Sequence, residues 1–382
     1  MALPRVLILG AGFGGLAAAT TLRRAAGDRV DLLVVDAVPA FMMGLRKLWL
    51  LDGRGTRAEG TRDRRTLPAR AIPYRQGKVD AIDLAGRWVA VDGDRLPYDY
   101  LVVALGAEPR LDLIPGGVAG AYNLYSPDEA EALGRRLSDF DRGRILIAIA
   151  GLPYKCPPAP YEAAFIIEAM LRRAGRRSSV EIEVITPQPM SLPVAGPEVC
   201  AQVEGTMAAR RIRFRSKTQV QRVEATRALM ADGSAVTADL VIVVPPHRPP
   251  AVVKVSGLTA GGEWVRPDPA TLATAAERVF AIGDVTEIPL SSGQMLPKAG
   301  VFAEHQGEVV AQNLADLLAG RAPAARFDGV GYCFIELGDG QASMVDGRFL
   351  ADPPDVRVVD PAPEHLAAKE AFEREHLQRW FG

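Results

Sequence analysis

The 382-residue sequence predicts an α/β chain: two successive units of parallel sheet and helix, followed by a small C-terminal domain. Three observations carry this. Short Val-, Ile- and Leu-rich runs at 5–9, 30–35, 100–104, 144–150, 180–186 and 240–244 read as strands buried on both faces. The first run feeds Gly10-Ala-Gly12-Phe-Gly14-Gly15 and then a helical stretch over 16–24. Finally, the second run ends in Asp36, 21 residues beyond Gly15. The glycines Gly10, Gly12 and Gly15 fit G-x-G-x-x-G, in which they serve a tight turn, close backbone approach to a pyrophosphate, and close packing of helix on strand. The helix N-terminus adds unpaired N–H groups for the phosphate, and Asp36 stands where a ribose-binding carboxylate belongs. The fold class is therefore tandem Rossmann-like dinucleotide-binding domains with a small C-terminal domain.

Bulk properties exclude several classes. Hydrophobic content of 48%, charged content of 24% and a net charge of −1 describe an ordinary globular chain with nothing to favour nucleic acid as a partner. No apolar run approaches the ~18 residues of a membrane span. The chain enters its first strand at once, which leaves no room for a signal peptide, so the expected location is cytoplasmic, with peripheral contact at the cytoplasmic membrane left open. Three cysteines make no disulfide scaffold and no metal set is seen; in such a chain they point first to redox chemistry or plain burial.

In order, 38–51 is apolar without a period, as expected of a segment covering a cofactor. Residues 54–75 carry seven arginines, read first as a solvated face and second as a surface for anionic lipid or an acidic partner. Strands follow at 79–83 and 87–92. The strand at 100–104 closes on Ala104, Gly106 and Ala107, a second place for cofactor contact. A linker-like passage (112–126) leads to a helix over 127–137 with Ser126 as its N-cap. The second unit runs from the strand at 144–150 through a helix at 197–210 and strands at 212–214 and 220–224 to the strand at 240–244. The strand at 279–282 ends in Gly283-Asp284, which puts a carboxylate at the sheet edge for ribityl hydroxyls. Pro297-Lys298 precedes a long helix over 299–318, whose N-terminus suits negative charge. A strand-rich region at 326–360 and a terminal helix at 363–381 complete the chain. The expected domains are 1–110 plus 251–325, 111–250, and 326–382.

The strand at 144–150 lacks a second glycine fingerprint. The loop reads Gly151-Leu-Pro-Tyr-Lys-Cys156-Pro-Pro-Ala-Pro160, and Pro153, Pro157, Pro158 and Pro160 remove the N–H donors that would cradle a pyrophosphate. The loop instead mounts Cys156, with Lys155 and a following helix N-terminus to favour the thiolate. Cys200 sits in a helical run beside Val199 and Val203 and reads as core. Cys333 opens a C-terminal strand, 177 residues from Cys156, so only tertiary structure could join the two.

Together these residues resemble the sulfide:quinone oxidoreductase and flavocytochrome c sulfide dehydrogenase group of flavoproteins. The likeness runs from Gly10 to about Phe349, and Cys156-Pro-Pro-Ala-Pro-Tyr-Glu162 is its most specific part. The resemblance implies one FAD, held by Gly10, Gly12, Gly14, Gly15, Asp36, Ala104, Gly106, Gly283, Asp284 and Lys298. It implies a Cys156–Cys333 disulfide that sulfide attacks, with Cys156 holding sulfur and Cys333 nearer the flavin, its thiolate adding to it. Glu162 would be a proton acceptor and Lys298 would stabilise reduced flavin. Sulfide, or a small thiol or persulfide, would be the donor, and quinone or another acceptor the oxidant. Residues 37–53 hold no cysteine, so FAD is expected to bind non-covalently, and no Cys-x-x-Cys-His is present for haem. Two rivals remain open: an NAD(P)H-dependent flavoprotein reductase of the type II NADH dehydrogenase kind, and a flavin-binding redox sensor or partner subunit without sulfide turnover. The terminal helix, with Leu366, Phe372, Leu377, Trp380 and Phe381 among Lys369, Arg374 and Arg379, packs on its own domain or a homodimer partner, or else touches the bilayer interface.

Overall fold

The computed structural model describes residues 3–224 and 226–382. Its first sheet has five parallel strands in the order Val279–Ala281, Tyr100–Val103, Arg5–Leu9, Asp31–Asp36, Tyr74–Gln76. The central strand is almost wholly buried, as its unbroken apolar run requires. Helix Phe13–Ala26 packs along helix Gly300–Leu318, and glycine makes that closeness possible: a Cβ on Gly307 would lie 2.3 Å from the Gly14 carbonyl oxygen.

The second sheet is also five-stranded and parallel, in the order Tyr122–Asn123, Leu240–Val244, Gly143–Ile149, Val180–Ile185, Ile212–Arg215. Helix Ala159–Arg173 follows directly from the cysteine loop and is buried along most of its length. Three antiparallel strands, Val330–Glu336, Ala342–Arg348 and Asp355–Ala362, form the C-terminal sheet and lead into helix Pro363–Phe381. Ile335, Leu337 and Val345 of this sheet join the hydrophobic core of the second unit, while Phe349 joins that of the first. The C-terminal region thus packs into both cores.

Three sequence expectations change. The passage 112–126 is not merely a linker, because Tyr122–Asn123 pairs in parallel with Ile242 and Val243 and forms an edge of the second sheet. Residues 38–51 contain a short strand, Ala40–Met42, and a helix, Arg46–Leu51, whose length is set by burial of Leu48, Trp49 and Leu51 rather than by any period. The arginine-rich stretch is a solvated face only in part, at Arg62, Arg65 and Arg70. Arg64 is 7% exposed, and Arg54, Arg57 and Arg75 are ion-paired to Glu336, Asp128 and Asp94. Helix Ser126-capped Pro127–Ser138 matches its expected cap, with Glu129 N donating to Ser126 Oγ at 3.4 Å.

The terminal helix turns its apolar residues inward. Leu366, Leu377 and Trp380 are buried, and Trp380 meets Phe13 and Phe41 edge-on at 5.2 and 5.6 Å between ring centres. No helix among the described residues is long and apolar enough to cross a membrane.

Candidate functional site

The glycine loop after Arg5–Leu9 divides its labour by position. A Cβ on Gly15 would fall 1.8 Å from the Gly10 carbonyl oxygen, so Gly15 exists for backbone contact between turn and helix. A Cβ on Gly12 would meet no protein atom within 4 Å, and Gly12 caps helix Phe13–Ala26 without any side-chain bond. Open space at an uncapped helix N-terminus is what a pyrophosphate requires. A Cβ on Gly14 would lie 2.9 Å from Ala303 O and 3.1 Å from Ile282, so Gly14 also permits close packing of helix on helix. Ala104 and Gly106 line the opposite lip. Ala104 N donates to Leu9 O at 2.8 Å, and Gly106 adopts φ +68° with open space beside it.

Asp36 ends the second strand as expected. Its Oδ2 accepts from Ala11 N at 2.8 Å and its Oδ1 from Val38 N at 2.9 Å, which fixes the carboxylate over the glycine turn. Arg64, unheralded by any pattern, braces the same corner: Nε donates to Ala11 O at 3.0 Å and Nη1 to Val38 O and Ala40 O, both at 2.7 Å. Gly283 N donates to Gln306 Oε1 at 2.6 Å, leaving Asp284 half-buried at the sheet's carboxyl edge. These residues fit a dinucleotide laid across the strand ends. Replacing Gly12 by Ala should leave a folded protein with a reduced flavin-to-protein ratio. Gly15→Ala should also destabilise the fold, by roughly 1–3 kcal/mol of overpacking strain, and so lower the melting temperature. Absorbance and thermal unfolding of the two variants check this.

Cys156 and Cys333 meet. Cys333 shares a cavity wall with Tyr154, Pro157 and Pro158, the residues around Cys156, and both cysteines are free thiols. The neighbouring Cys156, then burial, raises the Cys333 thiol well above its usual pKa. The proline-rich loop holds Cys156 in a left-handed backbone conformation, φ +52°, which for a non-glycine residue costs about 1–2 kcal/mol. Neighbours fix it there: Cys156 N donates to Lys298 O at 2.7 Å, and Tyr125 Oη donates to Lys155 O at 2.7 Å. Cys200 is core, as expected, with Leu192 N donating to its Sγ at 3.3 Å.

Lys298 is 9% exposed. Its Nζ donates to Asp284 O at 2.8 Å and Thr286 O at 2.9 Å and stands 3.5 Å above the Trp264 ring. Burial pushes the ammonium down to about 8. The charge is thus fixed at the start of the long helix, beside Ala299.

Glu162 sits in a buried ionic cluster that sequence order hides. Its Oε1 accepts from Lys369 Nζ at 2.6 Å and from Glu336 N at 2.9 Å. Lys369 also donates to Glu336 Oε2 at 2.9 Å, and Trp49 Nε1 reaches the same oxygen at 2.9 Å. Arg54 closes the cluster on Glu336 Oε1. Burial raises the Glu162 carboxyl above its ordinary pKa despite Lys369, whereas Lys369 and Arg54 overcome burial and hold Glu336 below its own. The two acids are thereby differentiated, Glu162 being the one that takes a proton more readily. Its charge is also felt at Cys333.

A cavity of about 380 Å³ opens beside these groups. Trp264, Lys298, Phe302, Tyr332, Cys333 and Phe349 are among its walls, with prolines of the cysteine loop on the other side. Where a second dinucleotide would need a glycine cradle, a Cβ on Gly151 would lie 2.8–2.9 Å from Pro246, and the following helix is capped by Pro158, which has no N–H.

Comparison with known proteins agrees with this architecture. Mouse mitochondrial sulfide:quinone oxidoreductase is 24% identical over 378 residues, covering 94% of this chain and 82% of the relative. Sulfide-quinone reductase of Aquifex aeolicus is 25% identical over 377 residues, covering 91% and 83%. The X-ray structure of the sulfide:quinone oxidoreductase from that bacterium superposes with a TM-score of 0.89 at 22% identity, covering 99% of this chain and 91% of that one. The pattern of the pyridine nucleotide-disulphide oxidoreductases matches residues 4–307, and the chain belongs to that family.

Proposed function

We propose that the protein is an FAD-dependent oxidoreductase that oxidises sulfide, or a closely related thiol or persulfide, through Cys156 and Cys333 and passes the electrons to quinone. The observation that carries this reading is the apposition of two cysteines 177 residues apart, beside Lys298 and the start of the long helix. The names of the relatives support the same donor and acceptor.

FAD would lie along Gly10, Gly12, Gly15, Asp36, Ala104, Gly106, Gly283 and Asp284, bound non-covalently since residues 37–53 hold no cysteine. Once bound, it supplies two-electron acceptance. The chain supplies the rest. Hydrosulfide attacks the oxidised pair, forming Cys156–S–SH and releasing Cys333 as thiolate, so one S–S bond forms as another breaks. Glu162, whose carboxyl burial raises, then takes the proton that Cys156–S–SH gives up as it becomes the persulfide anion. Lys298, held on two backbone carbonyls, supplies fixed positive charge where negative charge collects on reduction. The cavity beside Lys298, with walls from Trp264, Phe302, Tyr332 and Phe349, has the apolar, aromatic character that a quinone ring and tail need.

The test is an anaerobic titration of the purified yellow protein, following flavin absorbance with sulfide and separately with NADH. Stoichiometric bleaching by sulfide and none by NADH is expected, followed by reoxidation with a soluble quinone. Bleaching by NADH alone would overturn the reading, because it would mean that the proline-rich loop still admits a nicotinamide nucleotide.

A further inference from the structure

We propose that Trp264 is a positioning residue for the reaction: its indole face holds the Lys298 ammonium in place and keeps it charged without cancelling that charge. The inference rests on the reading above, in which the Lys298 charge acts on reduced flavin, and deepens it by naming what maintains that charge.

Local pairing brings the two side chains together. Val265 bridges Thr286 in parallel, with Glu287 N donating to Val265 O at 2.8 Å. Trp264 therefore lies alongside the segment whose Asp284 and Thr286 carbonyls accept from Lys298 Nζ at 2.8 and 2.9 Å. An ammonium carries three N–H bonds. Two are taken by these carbonyls, and Nζ stands over the Trp264 ring, 3.5 Å from its centre. That is well inside the ~6 Å over which a ring face attracts a cation, and tryptophan attracts more strongly than tyrosine or phenylalanine. Trp264 is 5% exposed and Lys298 9%, and withdrawal from water strengthens the attraction. Both side chains border the cavity of about 380 Å³.

A carboxylate could not do the same work. The other buried cations around the site are answered by acids, Arg54 by Glu336 and Asp52 and Lys369 by Glu162 and Glu336, and such pairs cancel their own field at a distance. Carbonyls and an indole stabilise an ammonium while carrying no net charge, so the whole unit of charge remains to act on its surroundings. The neighbouring acids preserve this arrangement. Glu287 is bound to Arg266 at 2.6 Å, and Asp284 reaches Nζ through its carbonyl oxygen. Glu263, next to Trp264, is paired with Arg248 at 2.8 Å. In the second unit, burial and then Lys155 push the His247 ring down to about 3, so it adds no charge at working pH. Burial pushes Lys298 down to about 8, with Asp284 and Glu287 opposing it. The ammonium is therefore held by a narrow margin, and losing the indole's attraction removes charge within the working range.

The experiment is spectroelectrochemical titration of the holoprotein's flavin from about pH 6 to about pH 9, which gives its midpoint potential and the pH at which an extra downward bend begins. In the parent the bend should begin near about 8, where Lys298 starts to lose its proton. Removing an attraction that favours the cation lowers its pKa. In Trp264→Leu the bend should therefore begin about one unit lower, a tenfold shift in the ratio of ammonium to amine. Between the two bends the variant's potential should lie below the parent's, and at the acid end the two should agree. Trp264→Phe should fall between them. Site-specific replacement of Trp264 by progressively fluorinated tryptophans weakens the ring face at nearly constant shape and should move the bend downward in step. This series carries the test if Trp264→Leu loses flavin or fails to fold. Lys298→Met should abolish the bend and lower the potential throughout the acid range. A bend unmoved across the fluorinated series would overturn the proposal, since a purely packing role survives fluorination. An unchanged potential in Lys298→Met would overturn the parent reading of Lys298, and the proposal with it.

Discussion

Cys156→Ser should abolish bleaching of the flavin by sulfide, by roughly 10³-fold or more in rate, while the protein stays yellow and folded. The substitution changes one atom, and the backbone contact that holds the loop, Cys156 N to Lys298 O, is untouched. What disappears is the sulfur that can form and exchange an S–S bond. Cys333→Ser should be as silent, because the attacked disulfide needs both partners, and the double variant should be no worse than either single one. Cys200→Ser, in the core of the second unit, should retain sulfide-dependent reduction and thereby separates loss of chemistry from loss of a thiol in general. Rapid mixing with sulfide under argon, with dithionite reduction to confirm bound flavin, reads all four. Full-rate reduction in Cys156→Ser would eliminate the two-cysteine mechanism.

How far such a site can be read from sequence depends on the distance over which its parts are assembled. The glycine turn, Asp36 and the buried strands are local: each is specified by residues within one strand–turn–helix unit, so spacing alone finds them. The loss of the second cradle was also legible, because four prolines within eight residues remove donors wherever the chain goes. Cys156 and Cys333 could be nominated but not joined. Glu162 could be singled out, yet its partners, Glu336 and Lys369, lie 174 and 207 residues away, and Lys369 reads in sequence as one more cation on an amphipathic helix. Arg64 and Trp264 give no signal at all. Arginine is mostly exposed, so a run of seven suggests a wet surface; only the fold shows that Arg64 turns inward to three backbone carbonyls.

The terminal helix should prove essential to stability through one side chain. Lys369→Met is expected to destabilise the protein by about 3–5 kcal/mol, the usual consequence of removing one member of a buried ionic cluster. Lys369 is 2% exposed, Glu162 2% and Glu336 0%, so the methionine variant leaves two carboxyls facing each other away from water, with only Arg54 and Trp49 to support Glu336. The pH dependence has a definite sign. In the parent, Glu162 and Glu336 together hold Lys369 above its ordinary pKa against burial, so its contribution is fully present throughout the neutral range and is lost only as pH rises through that elevated value. Glu336 is held low, so its contribution is present above the ordinary carboxylate pKa and fades as acid protonates it. In Lys369→Met both carboxyls move upward, and protonation relieves them. The stability gap between parent and variant should therefore be largest near neutrality and shrink below about pH 5. Adding Glu162→Gln and Glu336→Gln to the methionine variant should recover part of the loss, since the uncompensated charge goes with them. Urea unfolding at pH 7 and pH 4.5 measures this directly. A gap that stayed constant with pH would mean that Lys369 acts by packing alone.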